Sequence, residues 1–226
     1  MTLNRLLPWL AALSASIAIL AFSGALPPVL AFVFKPLTTV LIIAFAWPRG
    51  GATPVPRRFI RIGLVLSLVG DVALLWPQQG FLPGLVAFLL AHLCYIAAFC
   101  TTARLAARPL IFVAYAAVAL LILSQLWPGI PVGLRVPVAA YVLCLATMAA
   151  QAAVAWRVAI ERRLAPAALA GLAALGGGLF MVSDSLLAIN RFAQPLPLAS
   201  LWILLTYWLA QWCIAASLPA SRTTSP

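Results

Sequence analysis

The chain has 226 residues, of which 65% are hydrophobic and only 8% charged, and its net charge is +11. So few charges cannot cover a soluble globule of this size, and repeated apolar runs near the thickness of a bilayer core mark an integral membrane protein. The basic residues fall in short links between those runs, a pattern of membrane topology that excludes nucleic acid as their partner.

Taken in chain order, the apolar runs predict eight helices. The first covers residues 6–22. Arg5 before it and small residues after it resemble a signal peptide, but the run is longer than the usual signal core, so a retained helix is expected. The second, 29–47, places Lys35, Thr38 and Thr39 on one face, because positions three and four apart on a helix point the same way. After the link PRGGATPVPRR (48–58) comes a third helix, 59–76, with Ser67 and Asp71 aligned. The fourth, 81–102, aligns His92 with Tyr95. The fifth, 109–127, and the sixth, 134–156, precede the link RVAIERR (157–163). The seventh, 165–189, contains Asp184 and the glycine run 176–178, which would let it approach a neighbour closely. Asn190 and Arg191 follow it. The eighth, 198–219, aligns Tyr207 with Gln211. Trp47, Trp76, Trp127 and Trp156 fall near span ends, where amphipathic rings favour the interface. Cys94, Cys100, Cys144 and Cys213 lie inside spans without metal-ligand spacing and read as small buried hydrophobes.

With eight crossings, the N-terminus, the links 48–58, 103–108 and 157–164, and the C-terminus share one side. That side carries eleven arginines: Arg5, Arg49, Arg57, Arg58, Arg61, Arg104, Arg108, Arg157, Arg162, Arg163 and Arg222. Only Arg135 and Arg191 lie near the opposite links. The positive-inside rule therefore puts both termini in the cytoplasm. No extramembrane segment is long enough for another domain, so residues 1–226 are expected to form a single bundle of eight transmembrane helices.

A charge near mid-bilayer costs about 2.5 to 3.5 kcal/mol on insertion scales, so each one asks for a reason. Of the three acidic residues, Glu161 lies among arginines, which leaves Asp71 and Asp184 inside the membrane. Each stands five residues before the outer end of its predicted helix, so the two share a depth, and Lys35 enters from the same side to a similar level. Five helices then offer one polar stripe each, and the economical packing turns the stripes toward a common cavity in the outer half. Plain structural alternatives exist: an ion pair for Lys35, a carbonyl partner for His92, and interhelical hydrogen bonds for Tyr207 and Gln211. The threonines and serines can bond their own helix backbones. The aspartate pair stands apart as a site of chemistry or proton traffic.

At these residues the sequence resembles the YhhN family of membrane proteins, whose characterised members are lysoplasmalogenases. The motifs are KPLTT (35–39), GDVALL (70–75), FLPGLVAFLLAHLCYIAAF (81–99), SDSLLAINRF (183–192) with PLP at 195–197, and TYWLAQ (206–211). They cover about residues 30–215. The resemblance implies an eight-helix hydrolase of the bacterial cytoplasmic membrane that cleaves the vinyl ether bond of a lysoplasmalogen to a fatty aldehyde and a glycerophospho-base. Asp71 and Asp184 take the place of the family's catalytic carboxylates, with one proton held between them and one member acting as acid, the other as base. Lys35 and Arg191 are expected to attract the phosphate or bias the charge of the pair. His92, Tyr95, Tyr207 and Gln211 are expected to orient water and the glycerol hydroxyl, with Asn190 among the supporting residues. The expected partners are a lysophospholipid, water and the bilayer. No metal or cofactor is expected.

Three rival readings use the same residues. A proton-coupled transporter also places Asp, Lys and His around a mid-depth cavity, but the two halves of the chain show no convincing repeat. An intramembrane aspartyl protease uses two helical aspartates, yet its tyrosine-containing motif is missing around Asp184. A hydrolase of the same fold could act on another ether lipid or lysophospholipid.

Overall fold

A computed structural model of the protein describes residues 3–164 and 167–220. Among these residues it contains eight α-helices and no strand: α1 (Leu3–Phe22), α2 (Val29–Ala46), α3 (Pro54–Ala73), α4 (Phe81–Phe99), α5 (Pro109–Leu126), α6 (Val132–Glu161), α7 (Ala167–Phe192) and α8 (Ala199–Ala216). All eight expected runs are helical. Seven are long and apolar enough to cross a membrane, which makes this a multi-pass membrane protein. The exception is α3, whose first half carries Arg57, Arg58 and Arg61.

Where boundaries differ from expectation, local chemistry accounts for it. α3 starts at Pro54, five residues before the apolar run, because proline suits the first turn of a helix, where its missing N–H is not needed. α6 runs on to Glu161, so Trp156 lies inside the helix. The extra turn is held by Glu161, which pairs with Arg157 one turn back and with Arg108 of the α4–α5 loop. The expected start of the seventh helix at 165 lies outside the described residues, as does Arg222.

Short loops make sequential helices antiparallel, and contacts between loops assign the two ends of the molecule. At one end, Gly50 N–H donates to the Pro219 carbonyl at 2.7 Å, and Arg49 reaches the carbonyls of Leu218 and Ala216. Arg108 and Glu161 meet at this end too. At the other end, Arg191 donates to the Pro77 carbonyl and stacks on the Phe81 ring, while Phe32 packs edge-on against Trp76. The second end carries the loops after α1, α3, α5 and α7 and is called the upper end below.

α7 is wedged between α6 and α8. A Cβ on Gly176 would lie 2.8 Å from the Ala210 carbonyl oxygen of α8, and one on Gly177 would lie 3.0 Å from the Ala149 Cα of α6. Gly178 faces open space. α3 approaches α4 in the same way, since a Cβ on Gly63 would meet the Tyr95 ring and one on Gly70 the Phe88 ring. α5 is the loosest helix, with only Ala119 and Leu126 buried. The cysteines are all free, but only Cys144 is buried. Cys94, Cys100 and Cys213 are only partly buried, which corrects the expectation of four buried thiols.

Candidate active site

Helical spacing aims polar side chains from six helices at one region in the upper half. α2 supplies Lys35 and Thr39 one turn apart, α3 supplies Ser67 and Asp71, α4 supplies His92 and Tyr95, and α8 supplies Tyr207 and Gln211. α7 adds Asp184 and α6 adds Tyr141. A buried polar group without a partner costs several kcal/mol in an apolar surround, and nearly all of these groups are partnered.

Asp71 is 1% exposed. Its Oδ2 accepts hydrogen bonds from the Thr39 hydroxyl at 2.6 Å and the Tyr207 hydroxyl at 2.7 Å. Its Oδ1 faces the Lys35 ammonium at 3.8 Å. Behind these partners stands a further layer. Trp208 Nε1 donates to Thr39 Oγ1 at 3.3 Å, Gln211 Nε2 donates to the Tyr207 oxygen at 3.3 Å, and the Tyr95 hydroxyl donates to Gln211 Oε1 at 2.8 Å. Ser67 lies 3.5 Å from the Tyr95 hydroxyl. Tyr95 and Gln211 therefore hold Tyr207 in place and do not themselves touch Asp71.

Asp184 has a different setting. Its Oδ2 accepts from the Tyr141 hydroxyl, and the Tyr141 oxygen lies 3.0 Å from His92 Nε2. The two carboxyl groups have different partners: Thr39, Tyr207 and Lys35 surround Asp71, and Tyr141 bonds Asp184. Phe180 packs edge-on against both His92 and Tyr207, with ring centroids 4.6 and 5.5 Å away, and so braces both settings.

Asp71 and Asp184 line a common cavity of about 470 Å³, together with Lys35, Tyr141 and Tyr207. His92, Tyr95 and Gln211 lie behind its wall. Near the upper end the lining changes to Pro77, Asn190, Arg191 and Ser200. Asn190 is committed there to the loop, its Oδ1 accepting the Leu196 N–H at 2.9 Å. Arg191 is pinned by Pro77 and Phe81 but keeps an exposed guanidinium. Below the carboxyls the lining is apolar, with Phe88, Val142, Leu145 and Ala146 among its residues. Reading the sequence missed Tyr141, because a lone tyrosine in an apolar helix carries no charge and no neighbour that signals a site. It also left Thr39 as a backbone-bonding residue, although the structure bonds it to Asp71. Among the described residues no three His, Cys, Asp or Glu side chains form a metal-binding group.

Comparison with known proteins follows the same residues. The sequence model of the YhhN family matches residues 30–218. The chain is 38% identical over 187 residues to lysoplasmalogenase TMEM86B of Homo sapiens, covering 81% of this chain and 73% of that protein. It is 35% identical over 167 residues to lysoplasmalogenase TMEM86A of Homo sapiens, with coverage of 72% and 66%. It is 34% identical over 168 residues to a lysoplasmalogenase of Mycobacterium tuberculosis (strain CDC 1551 / Oshkosh), with coverage of 70% and 59%. The matched part thus spans 59% to 73% of these relatives' own lengths. No solved structure matches.

Proposed function

Since the chain belongs to the YhhN family, we propose that it is a lysoplasmalogenase, hydrolysing the vinyl ether bond of a lysoplasmalogen to a fatty aldehyde and a glycerophospho-base. The observation that carries this reading is one cavity with two carboxyl groups on separate helices, each held by different partners. The reaction needs a proton donor at carbon and, opposite it, an anion that stabilises a cation and activates water. The names of the relatives point to the same chemistry.

Asp71 serves as the carboxylate. Two hydroxyl donors and an ammonium surround it, a set that an acceptor-only group uses in full. Asp184 serves as the acid. When it carries the proton, it donates to the Tyr141 oxygen and the Tyr141 hydroxyl turns to His92 Nε2, so the same three heavy atoms stay bonded. Asp184 first protonates the outer vinyl carbon, which leaves an oxocarbenium ion. Asp71 stabilises that cation and takes a proton from the water that adds to it. The hemiacetal then collapses. Asp71 returns its proton to the ether oxygen as the C–O bond breaks, and Asp184 removes the hydroxyl proton of the forming aldehyde. Both carboxyls end in their starting states, so no further proton source is needed.

The same reading includes one polytopic domain over 1–226 with eight crossings and both termini on the cytoplasmic side of a bacterial inner membrane. It rests on the lower-end clustering of Arg49, Arg57, Arg58, Arg61, Arg104, Arg108, Arg157, Arg162 and Arg163 against Arg135 and Arg191 above. The test of function is fatty aldehyde release from lysoplasmenyl-ethanolamine by purified protein in detergent. The parent is expected to release aldehyde, and folded Asp71→Asn and Asp184→Asn variants to lose on the order of 10² to 10⁴ in kcat. A folded parent that releases none would overturn the assignment.

A further inference from the structure

A second cavity, about 330 Å³, lies between α5 and α6. It is almost wholly apolar and shares Ala119, Leu123, Val142 and Ala146 with the lining of the carboxyl cavity. From that junction it runs away from the upper end to Phe112, within one turn of the opposite end of α5, and to Thr147 on α6. Its rim is formed by Val113, Leu120 and Leu143, which are 63%, 64% and 70% exposed and face where lipid lies.

We propose that this cleft is the binding site for the hydrocarbon chain of the substrate, and that Ala119, Ala146 and Ala116 set the chain length accepted. The inference rests on the lysoplasmalogenase reading and specifies its substrate subsite. The order of chemistry along the two adjoining cavities, which share four wall residues, carries it. At the upper mouth stand Arg191 and Ser200, suited to a phosphate and a polar headgroup. Next come Asp71 and Asp184, and beyond them the lining is aliphatic into the α5–α6 cleft. A lysoplasmalogen has the same order: headgroup, then vinyl ether, then a single unbranched chain. The orientation that puts the vinyl ether at the carboxyls with the polar end in the polar mouth points the chain along the apolar lining toward the cleft.

Small side chains line the boundary between the two cavities, where little bulk separates them. Ala119 of α5 and Ala146 of α6 line both cavities, and Ala116 and Ala139 line the cleft beyond. The looseness of α5 suits this use, because a helix with two buried residues can yield to a guest chain without disturbing the core. The exposed rim lets a long chain extend sideways into the bilayer and gives the lipid a lateral way in.

The experiment uses lysoplasmenyl-ethanolamines with short, medium and long alkenyl chains, with aldehyde release measured for full-length Ala146→Phe, Ala116→Phe and Ala117→Phe. Ala146 sits at the junction, Ala116 farther out, and Ala117 is exposed on α5 without lining either cavity. Ala146→Phe is expected to lose about tenfold or more in kcat/KM on medium and long chains and severalfold less on short ones. Ala116→Phe should lose only the longest chain, and Ala117→Phe should match the parent. Because Ala116 is exposed, its variant remains informative if Ala146→Phe does not fold. Active parent and variants with one common chain-length profile would overturn the cleft assignment alone. A folded parent inactive on every chain length would overturn the activity reading, and the cleft assignment with it.

Discussion

Tyr141 stands between His92 Nε2 and Asp184 Oδ2, so removing its hydroxyl breaks two hydrogen bonds while the ring keeps its packing. Tyr141→Phe is expected to lower kcat by about 10- to 100-fold with little change in KM, because the loss falls on the acid and spares lipid binding. Steady-state kinetics on lysoplasmenyl-ethanolamine separate the two parameters, and a raised KM with unchanged kcat would refute the role. Lys35 and Arg191, grouped together from sequence as residues that attract the phosphate or bias the charge of the acid pair, should now part company. Lys35 is 5% exposed and faces Asp71, so Lys35→Ala should lower kcat, whereas Arg191→Ala at the cavity mouth should raise KM. Equal effects of the two on KM would return both to the phosphate. The legible residues were those whose burial is expensive enough to require a reason: Asp71, Asp184 and Lys35 in apolar helices. Tyr141 was not legible because a phenol is half hydrophobe, common in a membrane helix, and only tertiary packing shows where its hydroxyl points.

Helices α6, α7 and α8 hold Tyr141, Asp184 and Tyr207 in register, and their spacing depends on two glycines of a run of three. All eight helices were legible from the apolar runs, but the run GGG reads from sequence as one uniform close-approach surface. Packing divides it, since consecutive residues on a helix point about 100° apart: Gly176 meets α8, Gly177 meets α6 and Gly178 meets nothing within 4 Å. Gly176→Ala places a methyl against the Ala210 carbonyl, a backbone atom that cannot rotate away, and should cost about 1 to 3 kcal/mol. Gly177→Ala meets Ala149 Cα and should cost less. Gly178→Ala should stabilise by about 0.5 to 1 kcal/mol, because alanine loses less backbone entropy in a helix. Thermal unfolding in detergent ranks the three. If Gly178→Ala is as damaging as Gly176→Ala, the wedge between α6 and α8 is wrong. The same packing logic limits what counting residues shows of the aspartates: depth follows from position along a helix, but the partners each carboxyl meets depend on which way its face turns.

Whether the molecule crosses the membrane seven or eight times turns on α3, the helix too polar to qualify by composition. Its polar residues are not spread along it. Arg57, Arg58 and Arg61 occupy the first turns at the lower end, where long basic side chains can reach the interface, and Arg61 lies over the Trp47 ring there. Asp71 sits near the other end, enclosed by Lys35, Thr39 and Tyr207. Between them Ile62, Leu64, Val65, Leu66, Leu68 and Val69 form an apolar centre. Twenty residues at about 1.5 Å each give about 30 Å, enough to span the core. The ends of α3 also touch opposite ends of the molecule, through Trp47 below and through the Trp76 contact with Phe32 above. The proposed topology therefore has α3 cross as the eighth span, and it predicts that the loop after α2 is cytoplasmic and the loop after α3 outside. Single cysteines at Ala52, Leu105, Gln79 and Gln194, in a background lacking the four native thiols, report this with a membrane-impermeant maleimide. Cysteines at Gln79 and Gln194 should label in intact cells, and those at Ala52 and Leu105 only after the membrane is opened. Equal labelling at Ala52 and Gln79 in intact cells would mean that α3 does not cross, and the arginine asymmetry that orients the protein would lose its basis.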